Sequence, residues 1–324
     1  MTPSPARAAR EAEAETQPGR ACPASYRYSP RVFRRAPQIV ADTVYVIGGL
    51  YGNVEALEAI DAMAGAEERR PTLVFNGDFH WFDVAAGDFE AISKGVAAHP
   101  ALRGNVETEI AIGHEGAGCG CAYPLDVSDA EVSRSNEIIA RLRRTALDVP
   151  ERAAQLAALP MTLVARIGGA RAGIVHGDAT SLAGWGFAHD RLDDPRHRRW
   201  IDSVFCEAQV DLFASSHTCL PALRAFTVDG APRVVANNGA AGMPNFARRR
   251  EGIVTRIGTR PYAGRRVAGM QVAGVHVELI EVGYDADRWN ARFLSSWPPG
   301  SPAHDSYWRR MAGGPRHTVE RAAR

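Results

Sequence analysis

The chain is expected to fold as an α/β protein, βαβαβ in its first half and β-rich in its second. Three observations carry this. Short apolar runs ending in Gly or Asn alternate with amphipathic helical patterns in the first half. The second half is rich in strands. Polar residues cluster just after strand after strand, where a parallel sheet gathers its loops on one edge.

TVYVIG (43–48) is an apolar run closing on Gly-Gly, the pattern of a buried strand entering a tight turn. From Asn53, which can cap, NVEALEAIDAMAG places Val54, Leu57, Ile60 and Met63 on one helical face. TLVFN (72–76) is a second strand and FEAISKGVAAH (89–99) a second helix, followed by the loop after ALRGN. An Arg-rich amphipathic helix is predicted over 130–146. MTLVARI and ARAGIVHG (161–177) read as a hairpin around Gly168-Gly169. VDLFASS (210–216), ALRAFTV (222–228), RVVAN (233–237) and GVHVELIEV (274–282) are further strands. Residues 1–37, rich in Ala, Arg, Pro and Glu, read as a disordered leader, although Tyr26, Tyr28 and Phe33 at its end could dock on the domain. The domain is expected over 38–295, with 296–324 as a flexible Pro/Gly/Arg-rich tail.

Composition excludes several classes. The 324 residues are 45% hydrophobic and 23% charged, too apolar for wholesale disorder. Charges interrupt every apolar stretch, so no membrane span is expected. A net charge of +1 carries no signal for nucleic acid, and Lys94 is the single lysine among 38 basic residues. The five cysteines, an odd number, and the lack of an apolar segment after the early arginines predict a reduced, cytoplasmic protein.

Five strand-end loops hold unusual polar residues: GGLYGN (48–53), NGDFH (76–80), RGNVE (103–107), VHGD (175–178) and SSHTCLP (215–221). An Asp, an Asn and two His at such positions suit a divalent transition metal such as Mn, Zn or Fe. As an ordered set, with NNGAAGMPN (237–245) and VGYDAD (282–287), these loops resemble the calcineurin-like metallophosphoesterases, in particular the small bacterial phosphodiesterases. The resemblance spans roughly 43–287 and implies a metallophosphoesterase-like sandwich of two packed mixed sheets flanked by helices, with two metals at the strand ends holding a phosphate between them.

Carried over residue by residue, the resemblance makes Asp78, Asn105, His176 and His217 ligands of one metal, so one ion per chain is expected and two are possible. The pattern's first motif, DxHGN, is altered: Gly49 and Tyr51 stand where it has Asp and His, while Gly52 and Asn53 remain. Val106 replaces the His of its GNHD or GNHE motif, and Cys219 the second His of its GHTH motif. The second metal thus keeps only the bridging Asp78. Three readings follow: Tyr51 and Cys219 fill space in a degenerate site, they ligate a different metal such as ferric iron or zinc, or the protein binds a phosphorylated ligand without turnover. The preferred reading is hydrolysis of a phosphate ester, more readily a diester, of a phosphorylated small molecule or nucleotide. The rival is a catalytically silent binding or regulatory protein, and a thiol-containing metal or redox sensor is a weaker one.

Three candidates stand beside these. His80, two residues past Asp78, could replace the missing proton donor or simply pack beside Trp81. Arg103 could contact phosphate through its planar fork. GHEGAGCGC (113–121) places His114, Glu115, Cys119 and Cys121 in a Gly-rich loop that reads best as flexible surface with incidental cysteines.

Overall fold

The structure, a computed structural model, describes residues 16–112 and 116–324. Residues 1–15 of the predicted leader and 113–115 of the Gly-rich loop, His114 and Glu115 among them, lie outside the described residues.

Twelve strands are described: β1 Ile39–Ala41, β2 Thr43–Ile47, β3 Thr72–Asn76, β4 Ala101–Leu102, β5 Thr162–Ile167, β6 Ala170–Val175, β7 Leu212–Ser215, β8 Ala222–Val228, β9 Ala231–Asn237, β10 Gly252–Gly258, β11 Arg266–Val272 and β12 Val275–Val282. They form two six-stranded mixed sheets, ordered β1-β5-β6-β7-β9-β8 and β11-β12-β10-β2-β3-β4. In the second, β2, β3 and β4 are parallel, and β10 closes antiparallel against β2. In the first, β6, β7 and β9 are parallel. The parallel runs of both sheets end at the same rim, which places five loops together.

Strand periodicity builds the layers. Val44 and Val46 of β2 face the other sheet, in a core with Val74, Ile253, Ile174, Leu212 and Ala236. Tyr45 and Ile47, one residue out of step, face the outer core under helix Val54–Ala66. Asn53 caps that helix by accepting from Ala56 N at 2.9 Å. On the other sheet's outer face, helix Arg198–Ala208 packs Val204 and Phe205 against Phe213 and Val235. No helix among the described residues is long and apolar enough to cross a membrane.

Both ends of the described chain are more ordered than their composition predicts. In the leader's second half, Phe33 sits fully buried, 5.3 Å from the Phe213 ring, and Tyr26 donates to Glu109 at 2.6 Å. The predicted flexible tail contains helix Pro302–Gly313 and a short helix at Val319–Ala322. Trp297 is buried and donates to Phe82 O at 2.8 Å, and Arg224 holds the carbonyls of Arg321 and Ala322. Pro302 stands in the first turn of its helix, where a missing N–H costs nothing.

Candidate metal centre

Four strand-end loops deliver the centre. Asp78 follows β3 through Gly77, Asn105 opens the helix after β4, His176 ends β6 and His217 follows β7. The loops meet closely enough to require glycine: a Cβ on Gly104 would lie 2.3 Å from Asp78 Oδ1. All four side chains are buried.

Second partners orient three of the four side chains. His176 Nδ1 is 3.0 Å from Asn76 O, and His217 Nε2 is 3.0 Å from Cys121 O. A carbonyl only accepts, so each of those nitrogens carries the hydrogen and the other ring nitrogen presents its lone pair. Asn105 Nδ2 donates to Cys119 O at 2.9 Å, which leaves Oδ1 facing inward.

The inward atoms are therefore all acceptors. His176 Nε2 lies 3.0 Å from His217 Nδ1, 3.0 Å from Asn105 Oδ1 and 3.3 Å from Asp78 Oδ1. Asp78, His176 and His217 offer atoms all within 4.8 Å of one another. Bonds of about 2.1 Å at right to tetrahedral angles set ligand atoms roughly 3.0–3.4 Å apart, so this donor set fits a divalent ion of the zinc or manganese kind. Burial pulls the His176 imidazole down, but Asp78 and after it Glu107 raise it above its ordinary value. Burial and the neighbouring His176 push His217 down to about 3. Metal affinity should consequently be flat above the raised His176 pKa and fall about tenfold per pH unit below it, one proton being displaced per ion. Competition titrations between about pH 4 and 8 check this; a two-proton slope would show that His217 titrates as well.

Glu107 holds the loops and was given no role from sequence. Its fully buried carboxylate accepts from the backbone N–H groups of Asp78 (2.8 Å), Phe79 (3.0 Å), His80 (3.3 Å) and Gly104 (2.8 Å). The available signal was an acid two residues past Asn105, where a strand-end turn leaves N–H groups unpaired.

The remodelled half is filled rather than open. The Tyr51 ring occupies the space beside Gly49, where an added Cβ would meet it at 2.8 Å. Tyr51 Oη and Cys219 Sγ are 2.8 Å apart, one hydrogen bond between them. Burial raises both groups, and the neighbouring Cys219 and Asp78 raise Tyr51 further. Neutral phenol and thiol are poor ligands.

Three expectations require correction. His80 is not a proton donor to this centre: Nδ1 is bonded to Asp83 (2.6 Å), Nε2 contacts Ser93 Oγ (3.4 Å), and the ring stacks on Phe89 at 4.1 Å. Arg103 donates to Ala157 O at 2.6 Å, at the end of helix Pro150–Ala158, and so serves that helix end rather than a phosphate. The Gly-rich loop is no incidental surface, because Cys119 and Cys121 are buried and their carbonyls hold Asn105 and His217, while Trp185 Nε1 also donates to Cys121 O. Composition hid this, since the loop acts through its backbone.

No family model matches the chain, and no curated protein does. Solved structures do. A hypothetical protein of Pyrococcus horikoshii superposes with a TM-score of 0.58 at 17% identity, over 86% of this chain and 100% of that one. A metallophosphoesterase from Sphaerobacter thermophilus gives 0.50 at 18% identity, over 84% and 99%. The two sheets and their helices thus have the metallophosphoesterase fold.

Proposed function

We propose that the protein is a metal-dependent phosphoesterase acting on a phosphodiester with a good leaving group, through one complete metal site and one that has been filled. The observation that carries this reading is the set of four inward acceptors, of which His176, His217 and Asn105 are oriented from behind. When bound there, a divalent cation supplies Lewis acidity toward a phosphoryl oxygen and acidifies water. The chain's own part is to hold Asp78, Asn105, His176 and His217 in place, and through Trp185 and the Gly-rich loop to limit access of bulk water. Val106, buried beside Asp78, has no proton to give, so the leaving group must depart without one. That requirement favours diesters of acidic alcohols or phenols.

A catalytically silent phosphate-binding protein is the second reading, favoured by the Tyr51–Cys219 pair that closes the other half. One experiment separates them: metal analysis of protein purified without added metal, with turnover of bis(p-nitrophenyl) phosphate. One ion with turnover supports the esterase, and one ion without turnover on a broad diester panel supports the silent protein. Tyr51→Phe and Cys219→Ala should each leave the count near one ion per chain. A fall from two ions to one would show instead that the phenol and thiol are ligands.

A further inference from the structure

The filled half of the centre is covered by helix Pro302–Gly313, and that helix brings a cation. Tyr307 and Arg310, three residues apart, share a face. Tyr307 packs on Phe82 at 5.0 Å, and Phe82 in turn on Tyr51 at 6.1 Å. Arg310 donates from Nη2 to Cys219 O at 2.7 Å and from Nε to Pro244 O at 2.9 Å. These two bonds fix one edge of the guanidinium. Its charge acts on both fillers, opposing the rise of the Cys219 thiol and the Tyr51 phenol.

Two features mark Arg310, although Arg103 and Arg171 likewise donate to carbonyls with no carboxylate partner among the described residues. Among the described residues no carboxylate lies within ion-pairing distance of it, whereas the buried Arg256 and Arg224 are each matched by Glu or Asp. It is also only partly buried. An unmatched guanidinium held by two carbonyls costs desolvation energy with no carboxylate to offset it. It stands beside Cys219 and Tyr51, whose places in the sequence pattern belong to ligands of the absent cation.

We propose that Arg310 is a phosphate-binding residue, its guanidinium contributing the positive charge that a second metal would otherwise bring to the substrate's phosphoryl oxygens. The assignment rests on the phosphoesterase-type site proposed above and adds a residue from outside the motifs. A planar fork anchored along one edge suits two non-bridging oxygens of a diester, and it supplies charge without activating water. Arg310 is therefore a binding group here, and its loss should act on affinity first.

The test uses the metal-loaded full chain, inorganic phosphate as probe, and the variants Arg310→Met and Arg310→Lys. Wild-type protein should bind phosphate by calorimetry, Arg310→Met should bind it at least about tenfold more weakly with its metal retained, and Arg310→Lys should recover part of the loss. KM for bis(p-nitrophenyl) phosphate should rise more than kcat falls. A merely structural clamp predicts the opposite: a lowered melting temperature in Arg310→Met with phosphate affinity unchanged in the folded, metal-loaded fraction, and that result overturns the proposal. If wild-type protein binds no phosphate yet hydrolyses the diester, the assignment of Arg310 fails while the phosphoesterase reading stands. If it binds phosphate through Arg310 without turnover, the esterase reading fails and the assignment stands.

Discussion

Replacing Glu107 with alanine should destabilise the fold by about 4 kcal/mol and abolish metal loading with it. The carboxylate accepts four backbone N–H groups from two loops that are otherwise joined by the Val106 N–H donated to Asp78 Oδ1. Hydrogen bonds to a charged acceptor contribute roughly 1.5–3 kcal/mol each when one partner is removed, offset by relief of burying the charge. That burial, with Asp78 next, raises the Glu107 carboxyl above its ordinary range. Glu107→Gln keeps one acceptor oxygen but turns an amide NH2 toward N–H donors, so it should lose somewhat less. Chemical denaturation checks both variants, and a midpoint unchanged from wild type would refute the role.

The second large effect is expected from His176→Ala. His176 Nε2 is the one inward atom within 3.3 Å of all three other ligands, so its loss removes the point on which the centre converges. Affinity for zinc or manganese should fall by at least about 100-fold, beyond the loss seen when only a supporting partner of a ligand is removed. Folding should survive, since the change orphans only the Asn76 carbonyl. Competition against a chromophoric chelator, paired with a melting curve, separates the two. Retained affinity in the folded variant would place the metal elsewhere.

The legible part of this molecule is the part written in side-chain chemistry at strand ends. Asp78, Asn105, His176 and His217 each follow an apolar run, and the fold brings them together because parallel strands end on one rim. The space filled by Tyr51 was legible as well, because Gly49 removes volume beside it. What stayed hidden acts through the main chain or over long separations. The carbonyls of Cys119 and Cys121 leave no trace in residue type. His80 is polar and adjacent to Asp78, yet Asp83 three residues on draws its ring away. β10 and β11 were not anticipated: β10 is buried along its whole length and β11 is half-buried or exposed at all but its last residue, so neither shows the alternation that marks a half-buried strand.

Sheet order also has a consequence in time. β2 is flanked on one side by β3, a few tens of residues later, but on the other only by β10. The gap between β2 and β10 is roughly 200 residues, which a ribosome working at about 5–20 residues per second spans in some 10–40 seconds. Throughout that interval the open backbone edge of β2 is a template for any stray strand. Arg310 emerges later still, so the charge beside the Tyr51–Cys219 pair arrives after every residue of the candidate centre has left the tunnel. A nascent chain of this protein therefore passes through a long stage with its centre half-built and one edge exposed, the stage at which holdase chaperones and metal supply have most influence on yield.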